Sequence, residues 1–217
     1  MHKNVERRFF SANFETREEN GLGIVSGRPV VFNSPTDFGD YIEVIDGDAL
    51  KETDLTDVRL CLNHDTNYVY ARSRRNNGNS TMQIFNDADG LRFSAGLNIK
   101  SSPKAQDFYS AVSRGDMDKM SFMFTIKDYE WRNLDSEKPT MAITSIAKVY
   151  EISCVTFPAY DSTSIEARDA AEVETFKRDL ERARAERLKA LDSDRSLRLA
   201  KAKYEYISKF QNGGKNL

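Results

Sequence analysis

Helix breakers divide this chain in two. All five prolines lie at or before Pro158, and no glycine occurs between Gly115 and Gly213. Proline removes a backbone donor and glycine admits turns closed to other residues, so both punctuate a chain. A turn-rich body is therefore followed by a tail without breakers. The tail, Ser162 to Phe210, is rich in Ala, Glu, Arg, Lys and Leu. Val173, Phe176, Leu180 and Ala183 step by three, four and three, and Leu197, Ala200, Tyr204 and Ile207 do so again. The phase breaks near Asp192-Ser193-Asp194, which predicts two helical segments with a hinge or stutter. The apolar stripe is narrow and the remaining faces are charged, so such a helix wants a partner.

The body reads mostly as strands. Gly23 to Phe32 carries Ile24, Val25, Val30 and Val31, and Val58 to Leu62 runs into Asn63-His64-Asp65. Thr81 to Asn86 and Leu91 to Asn98 flank Asp87-Ala88-Asp89-Gly90, a hairpin turn by composition. In Lys119 to Trp131, Met120, Phe122, Phe124 and Ile126 alternate, so Ser121 and Met123 point to the other face. Met141 to Phe157 supplies one or two more strands. One body helix is signalled: Ser102 caps it, Pro103 fits its first position and Gly115 ends it. Ala105, Phe108, Tyr109 and Val112 give it one apolar face. The expected fold class is α+β: a compact, β-barrel-like, mostly antiparallel domain over 20–165. A flexible segment, 1–19, precedes it, and a long charged helical tail, 166–217, with coiled-coil character, follows it.

Composition excludes some functions. Net charge is −2 over 217 residues, so no basic field points to nucleic acid or an anionic membrane. No apolar run approaches the roughly 18 residues of a membrane span. Met1 to Phe10 is basic but lacks the apolar stretch of a secretory signal. Cys61 and Cys154 are then expected as free thiols in a reducing compartment. The sequon Asn79-Ser80-Thr81 carries no weight without export. Gly213-Gly214-Lys215 lacks the preceding strand of a phosphate-binding loop.

Of the two histidines, His2 lies at a terminus prone to fray, and His64 follows a β run. Alone, His64 also reads as a loop histidine. Ser121 is flanked by large apolar residues on a strand. A serine hydroxyl is a poor nucleophile near neutral pH and needs a neutral imidazole, itself oriented by a third group. Glu151, inside the otherwise apolar Tyr150 to Ala159 segment, is a candidate third group, because a carboxylate there asks for a partner. It also reads as an edge-strand glutamate in water, and Asp65 and Asp161 are alternatives. A thiol site from Cys154 with His64, and a metal site from Cys61-x-x-His64, are rival readings. No cofactor and no resident metal are expected.

Three segments, in order, resemble the prohead (capsid-maturation) serine proteases of tailed bacteriophages, a family related in fold to the herpesvirus assembly protease. The first is Gly23-Ile24-Val25-Ser26-Gly27-Arg28-Pro29-Val30-Val31-Phe32-Asn33, followed by Tyr41-Ile42-Glu43-Val44-Ile45 and Gly47-Asp48-Ala49-Leu50. The second is Leu62-Asn63-His64-Asp65, similar to the family's histidine segment, and the third is Met120-Ser121-Phe122-Met123-Phe124, similar to its serine segment. Glu151-Ile152-Ser153-Cys154-Val155-Thr156-Phe157-Pro158-Ala159 then resembles the family's Glu-Val-Ser-Leu-Val-x-x-Pro-Ala ending. Two steps depart from the pattern: Tyr70-Ala71-Arg72 stands where Leu-Gly-Arg is common, and Met123 where glycine is common. The resemblance implies a herpesvirus-protease-like domain with His64, Ser121 and Glu151 as catalytic residues. It implies a serine endopeptidase packaged in the assembling procapsid, in the host cytoplasm, that trims the scaffold region of the major capsid protein and itself. The tail is then expected to pair with helical scaffold or to self-associate. The alternative is a non-catalytic assembly protein that keeps the protease fold.

Overall fold

The computed structural model describes residues 5–11, 13–156 and 170–212. Two long strands form its spine: β10 (Lys119–Arg132) lies antiparallel to β11 (Thr140–Val155). Their alternation buries Met120, Phe122 and Phe124 completely, and the rings of Phe122 and Phe124 stack with centroids 4.3 Å apart. On the far side of β10 runs β1 (Glu6–Ser11), antiparallel to it. β11 takes two parallel partners in succession. Its first residues pair with β5 (Ile42–Ile45), beyond which lies β4 (Thr36–Asp37), and its last residues pair with β6 (Val58–Leu62), which pairs with β7 (Ala71–Ser73). A second sheet has the order β2 (Glu15–Glu19), β3 (Leu22–Val31), β9 (Gly90–Leu97) and β8 (Met82–Asp87).

Among the described residues these sheets do not close into a barrel, contrary to expectation. The large sheet forks at β11 instead of returning to its own edge. Alternating side chains reveal which face is buried, but not which edges meet.

Helix α1 (Pro103–Ser113) has the boundaries its sequence specifies. Ser102 accepts a hydrogen bond from the Ala105 amide at 3.2 Å, Pro103 opens the helix, and Gly115 follows it with φ +77°. The helix buries Ala105, Phe108 and Val112. Its Tyr109 ring lies so close to Gly23 of β3 that a β-carbon there would sit 2.6 Å from it.

Within the segment expected to be flexible, Glu6–Ser11 and Glu15–Glu19 form strands β1 and β2. The inward positions of β1 are Glu6, Arg8 and Phe10. Arg8 is bound through Nη2 to Glu43 at 2.8 Å, and its Nη1 lies 2.9 Å from Glu6. Its guanidinium also faces the rings of Phe38 and Phe124 at 5.3 and 5.5 Å. Charges at inward positions hide the strand from a hydrophobicity pattern, yet here they are paired, as burial requires.

Helix α2 (Ala170–Asn212) runs unbroken through Asp192-Ser193-Asp194, so no hinge interrupts it. The slip in apolar phase changes which face is apolar without breaking the backbone ladder. Nor is its beginning detached from the body. Phe176 and Leu180 are buried, and Phe176 packs edge-on to Tyr129 of β10 with centroids 5.3 Å apart. The Tyr129 hydroxyl donates to Asp179, and Lys177 pairs with Asp40 at 2.7 Å. Farther along, Leu188, Leu191, Leu197, Leu199, Tyr204 and Tyr206 are 42 to 75% exposed.

Candidate active site

β10 holds Ser121 between two register partners: Phe9 of β1 on one side and Ser153 of β11 on the other. Directly paired residues project to the same face of a sheet, and so do residues two apart on one strand. Ser121, Met123, Glu151 and Ser153 therefore share the face opposite Met120, Phe122 and Phe124. Ser121, Glu151 and Ser153 are all buried, while Met123 is half-buried.

His64 reaches this face from a tight turn that ends β6. Asn63 and His64 both have left-handed backbones, with φ of 50° and 60°, and the Asp65 amide donates to the Leu62 carbonyl at 2.9 Å. Such angles are uncommon outside glycine, with asparagine and histidine enriched there, and persist where surrounding bonds hold them. The Asn63 amide donates to the Cys154 carbonyl at 3.0 Å, and the Asn63 side-chain oxygen accepts from the Thr156 amide at 2.9 Å. The His64 amide donates to Ser153 Oγ at 3.1 Å. The parallel register of β6 on β11 thus continues past the end of the strand and locks the turn against residues 153–156.

Glu151 completes the arrangement. Its Oε1 lies 2.5 Å from His64 Nδ1, and its Oε2 accepts from Ser153 Oγ at 2.5 Å. The His64 side chain is 10% exposed and that of Glu151 2%. The imidazole also stands edge-on to Phe9, centroids 5.9 Å apart. His64 therefore touches both flanks of the row Phe9–Ser121–Ser153. The ring thus meets residues of both strands that flank β10, the strand that bears Ser121. Among the described residues, His64 Nε2 and Ser121 Oγ are buried without a hydrogen-bond partner.

The alternatives are placed elsewhere. Asp65 is exposed, and its Oδ1 accepts from the amide and side chain of Asn67 at 3.0 Å each. Cys154 faces away from Ser153, fully buried, and burial pushes its thiol far above the usual range. Cys61 shares register with Ser153, and burial, then the charge of Glu151, push its thiol up to about 12. Among the described residues no three His, Cys, Asp or Glu side chains are grouped to hold a metal ion. His2, Asp161 and the Phe157-Pro158-Ala159 end of the last segment lie outside the described residues.

Two members of this site escaped the sequence reading. Phe9 lies in the stretch expected to be flexible. Ser153 had a usable signal: it stands two residues after Glu151, on the same face of one strand. A cleft of about 630 Å³ opens beside the His64 turn, lined by Leu62, Asn63 and Asp65, by Lys104 and Asp107 of α1, and by Met117.

A buried imidazole–carboxylate pair on the sheet face that also bears a buried serine suits a serine peptidase, and comparison with protein families agrees. The chain belongs to the caudovirus prohead serine proteases. The family's model matches residues 11–179, which takes in Ser121, His64, Glu151 and the docked beginning of α2. Comparisons with curated proteins and with solved structures give no match. A prohead protease is a serine peptidase of phage capsid maturation, and its setting is the assembling procapsid.

Proposed function

We propose that this prohead protease is an endopeptidase with Ser121 as nucleophile, His64 as general base and Glu151 as the group that orients His64. The observation that carries the reading is the Glu151–His64 contact on the face that bears Ser121. With its Nδ1 proton held by Glu151, neutral His64 presents the Nε2 lone pair. Ser121 Oγ attacks the peptide carbonyl carbon as its proton passes to Nε2. The C–N bond then breaks and Nε2–H protonates the departing amine. Water, deprotonated by His64 in turn, releases the acyl group from Ser121. Glu151 stabilises the imidazolium formed in each half-reaction. Ser121 is shielded from solvent, so a peptide reaches it as surrounding side chains, Phe9 among them, move aside.

The substrates we propose are the scaffold region of the major capsid protein and the protease itself, inside the procapsid in the host cytoplasm. The exposed apolar residues of distal α2 support a tail that pairs with helical scaffold or with a second copy. Relation to the herpesvirus assembly protease is proposed on the sequence resemblance alone.

The test is Ser121→Ala, coexpressed with the capsid protein. Processing should fall by about 10⁴-fold or more with folding intact, because loss of the nucleophile disables the whole unit. Retained processing, or no fluorophosphonate adduct on Ser121 of the unaltered protein, would sink the assignment. The second result would favour a non-catalytic assembly protein.

A further inference from the structure

We propose that Ser153 is a positioning residue that sets the proton arrangement of His64 through Glu151. The inference rests on the roles given above to His64 and Ser121.

With Glu151 ionised and the ring neutral, the donor directions leave one arrangement. A backbone amide can only donate, so the His64 N–H must find an acceptor in Ser153 Oγ. The hydroxyl has a single proton, and its acceptor is Glu151 Oε2. Glu151 therefore receives at Oε2, and its other oxygen is left to receive from His64 Nδ1. The imidazole then carries its proton on Nδ1 and leaves Nε2 bare. The chain starts and ends on the same residue: its amide polarises Ser153, which orients Glu151, which fixes its ring. A peptide N–H cannot reverse its direction, so Ser153 keeps donating to Oε2, and the ionised carboxylate can only accept from the ring. Ser153 is completely buried, so no bulk water substitutes for its hydroxyl.

A carboxylate alone orients an imidazole less well, because it can rotate about its own side chain. Ser153 pins one oxygen and leaves the other for the ring. The residue touches no substrate in this scheme; its influence passes through Glu151 and through the left-handed backbone of His64.

The chain has two histidines, so labelling with ¹⁵N-histidine and replacing His2 by Gln isolates the signals of His64. In the unaltered protein Nδ1 should be protonated and Nε2 bare. Ser153→Ala frees Glu151 to turn from the ring, so the opposite tautomer should become partly populated. Labelling of Ser121 by an alkyl fluorophosphonate should slow by about 10- to 100-fold at saturation with the concentration dependence unchanged, as expected when a proton acceptor is misaligned. Ser153→Thr, which keeps the hydroxyl, should restore the tautomer and most of the rate. Ser153→Cys fills the space with a poor hydrogen-bonding group and should resemble Ala, which covers a misfolded Ala variant. An unchanged tautomer in the Ala or Cys variant, or a labelling rate within threefold, overturns the proposal. The tautomer is read without catalysis. A wild-type protein that never labels refutes the proposed function and leaves the Ser153 test standing.

Discussion

His64 Nδ1 and Glu151 Oε1 lie 2.5 Å apart although 87 residues separate them in the chain. The parallel pairing of β6 with β11 creates this proximity. Arg59 lies opposite Glu151 and Leu62 opposite Cys154, and the turn after Leu62 folds His64 back over the strand it has just paired with. A buried carboxylate then meets an imidazole.

Glu151→Gln should show what that carboxylate does. If the amide nitrogen faces the ring, Nδ1 must accept, and the proton moves to Nε2, where it blocks transfer from Ser121. If the amide oxygen faces the ring, the amide nitrogen donates to Ser153, whose own proton loses its acceptor. The first leaves every group paired and is the one expected. Labelling at saturation should drop by about 10²- to 10⁴-fold, the range seen when an orienting acid is replaced by its amide. With its buried groups still paired by an isosteric amide, the melting temperature should change little. A rate within threefold of wild type would exclude Glu151 as the orienting group.

Much of this architecture was legible locally, because local rules governed it. The cap at Ser102, Pro103 and Gly115 bounded α1, and the alternation from Met120 to Phe124 assigned Ser121 to the face it occupies. Non-local pairing was illegible. Nothing near Glu151 announces that Arg59 will lie opposite it, or that His64 will follow three residues beyond the partner of Ser153. β1 was missed because its inward positions hold Glu6 and Arg8, and a hydrophobic pattern cannot see a buried ion pair. The unbroken α2 was missed because apolar phase reports packing, not whether backbone hydrogen bonds continue.

A second prediction concerns acid. Arg28 grips Asp87 at 2.6 and 2.9 Å at the turn between β8 and β9. The guanidinium bond, helped by the Asp89 and Gly90 amides, holds the Asp87 carboxyl down at about 2. A lowered folded value means the contribution is present above the unfolded value, about 3.9, and is lost as pH falls through about 2. The pair is largely solvated, so screening keeps its worth below about 1 kcal/mol. Asp87→Asn should therefore lower stability by about 0.5–1 kcal/mol at pH 7, by an amount that shrinks with added salt. The deficit should narrow as the pH drops below about 4, as urea midpoints would show. A deficit independent of pH would mean that the charge is not its source.

The tail should prove to be two functional lengths of one helix. From Phe176 to Arg187, α2 is fastened to the body: Phe176 meets Tyr129, Lys177 meets Asp40, and Arg187 lies 3.7 Å from Asp135. Beyond it, six large apolar residues from Leu188 to Tyr206 stay exposed. Phe176→Ala removes a buried ring and should lower stability by about 2–4 kcal/mol, toward the lower end of aromatic truncations because the site is near the surface. Deletion of residues 188–217 removes none of these contacts, so melting temperature and fluorophosphonate labelling should stay at wild-type values. The same deletion should reduce incorporation of the protease into proheads at least several-fold if distal α2 binds scaffold. Quantifying the protease in purified proheads, beside the melting curve of the truncated protein, separates the two lengths. Full incorporation of the truncated protein would refute recruitment through the tail, and a lowered melting temperature would show that the distal helix also supports the body.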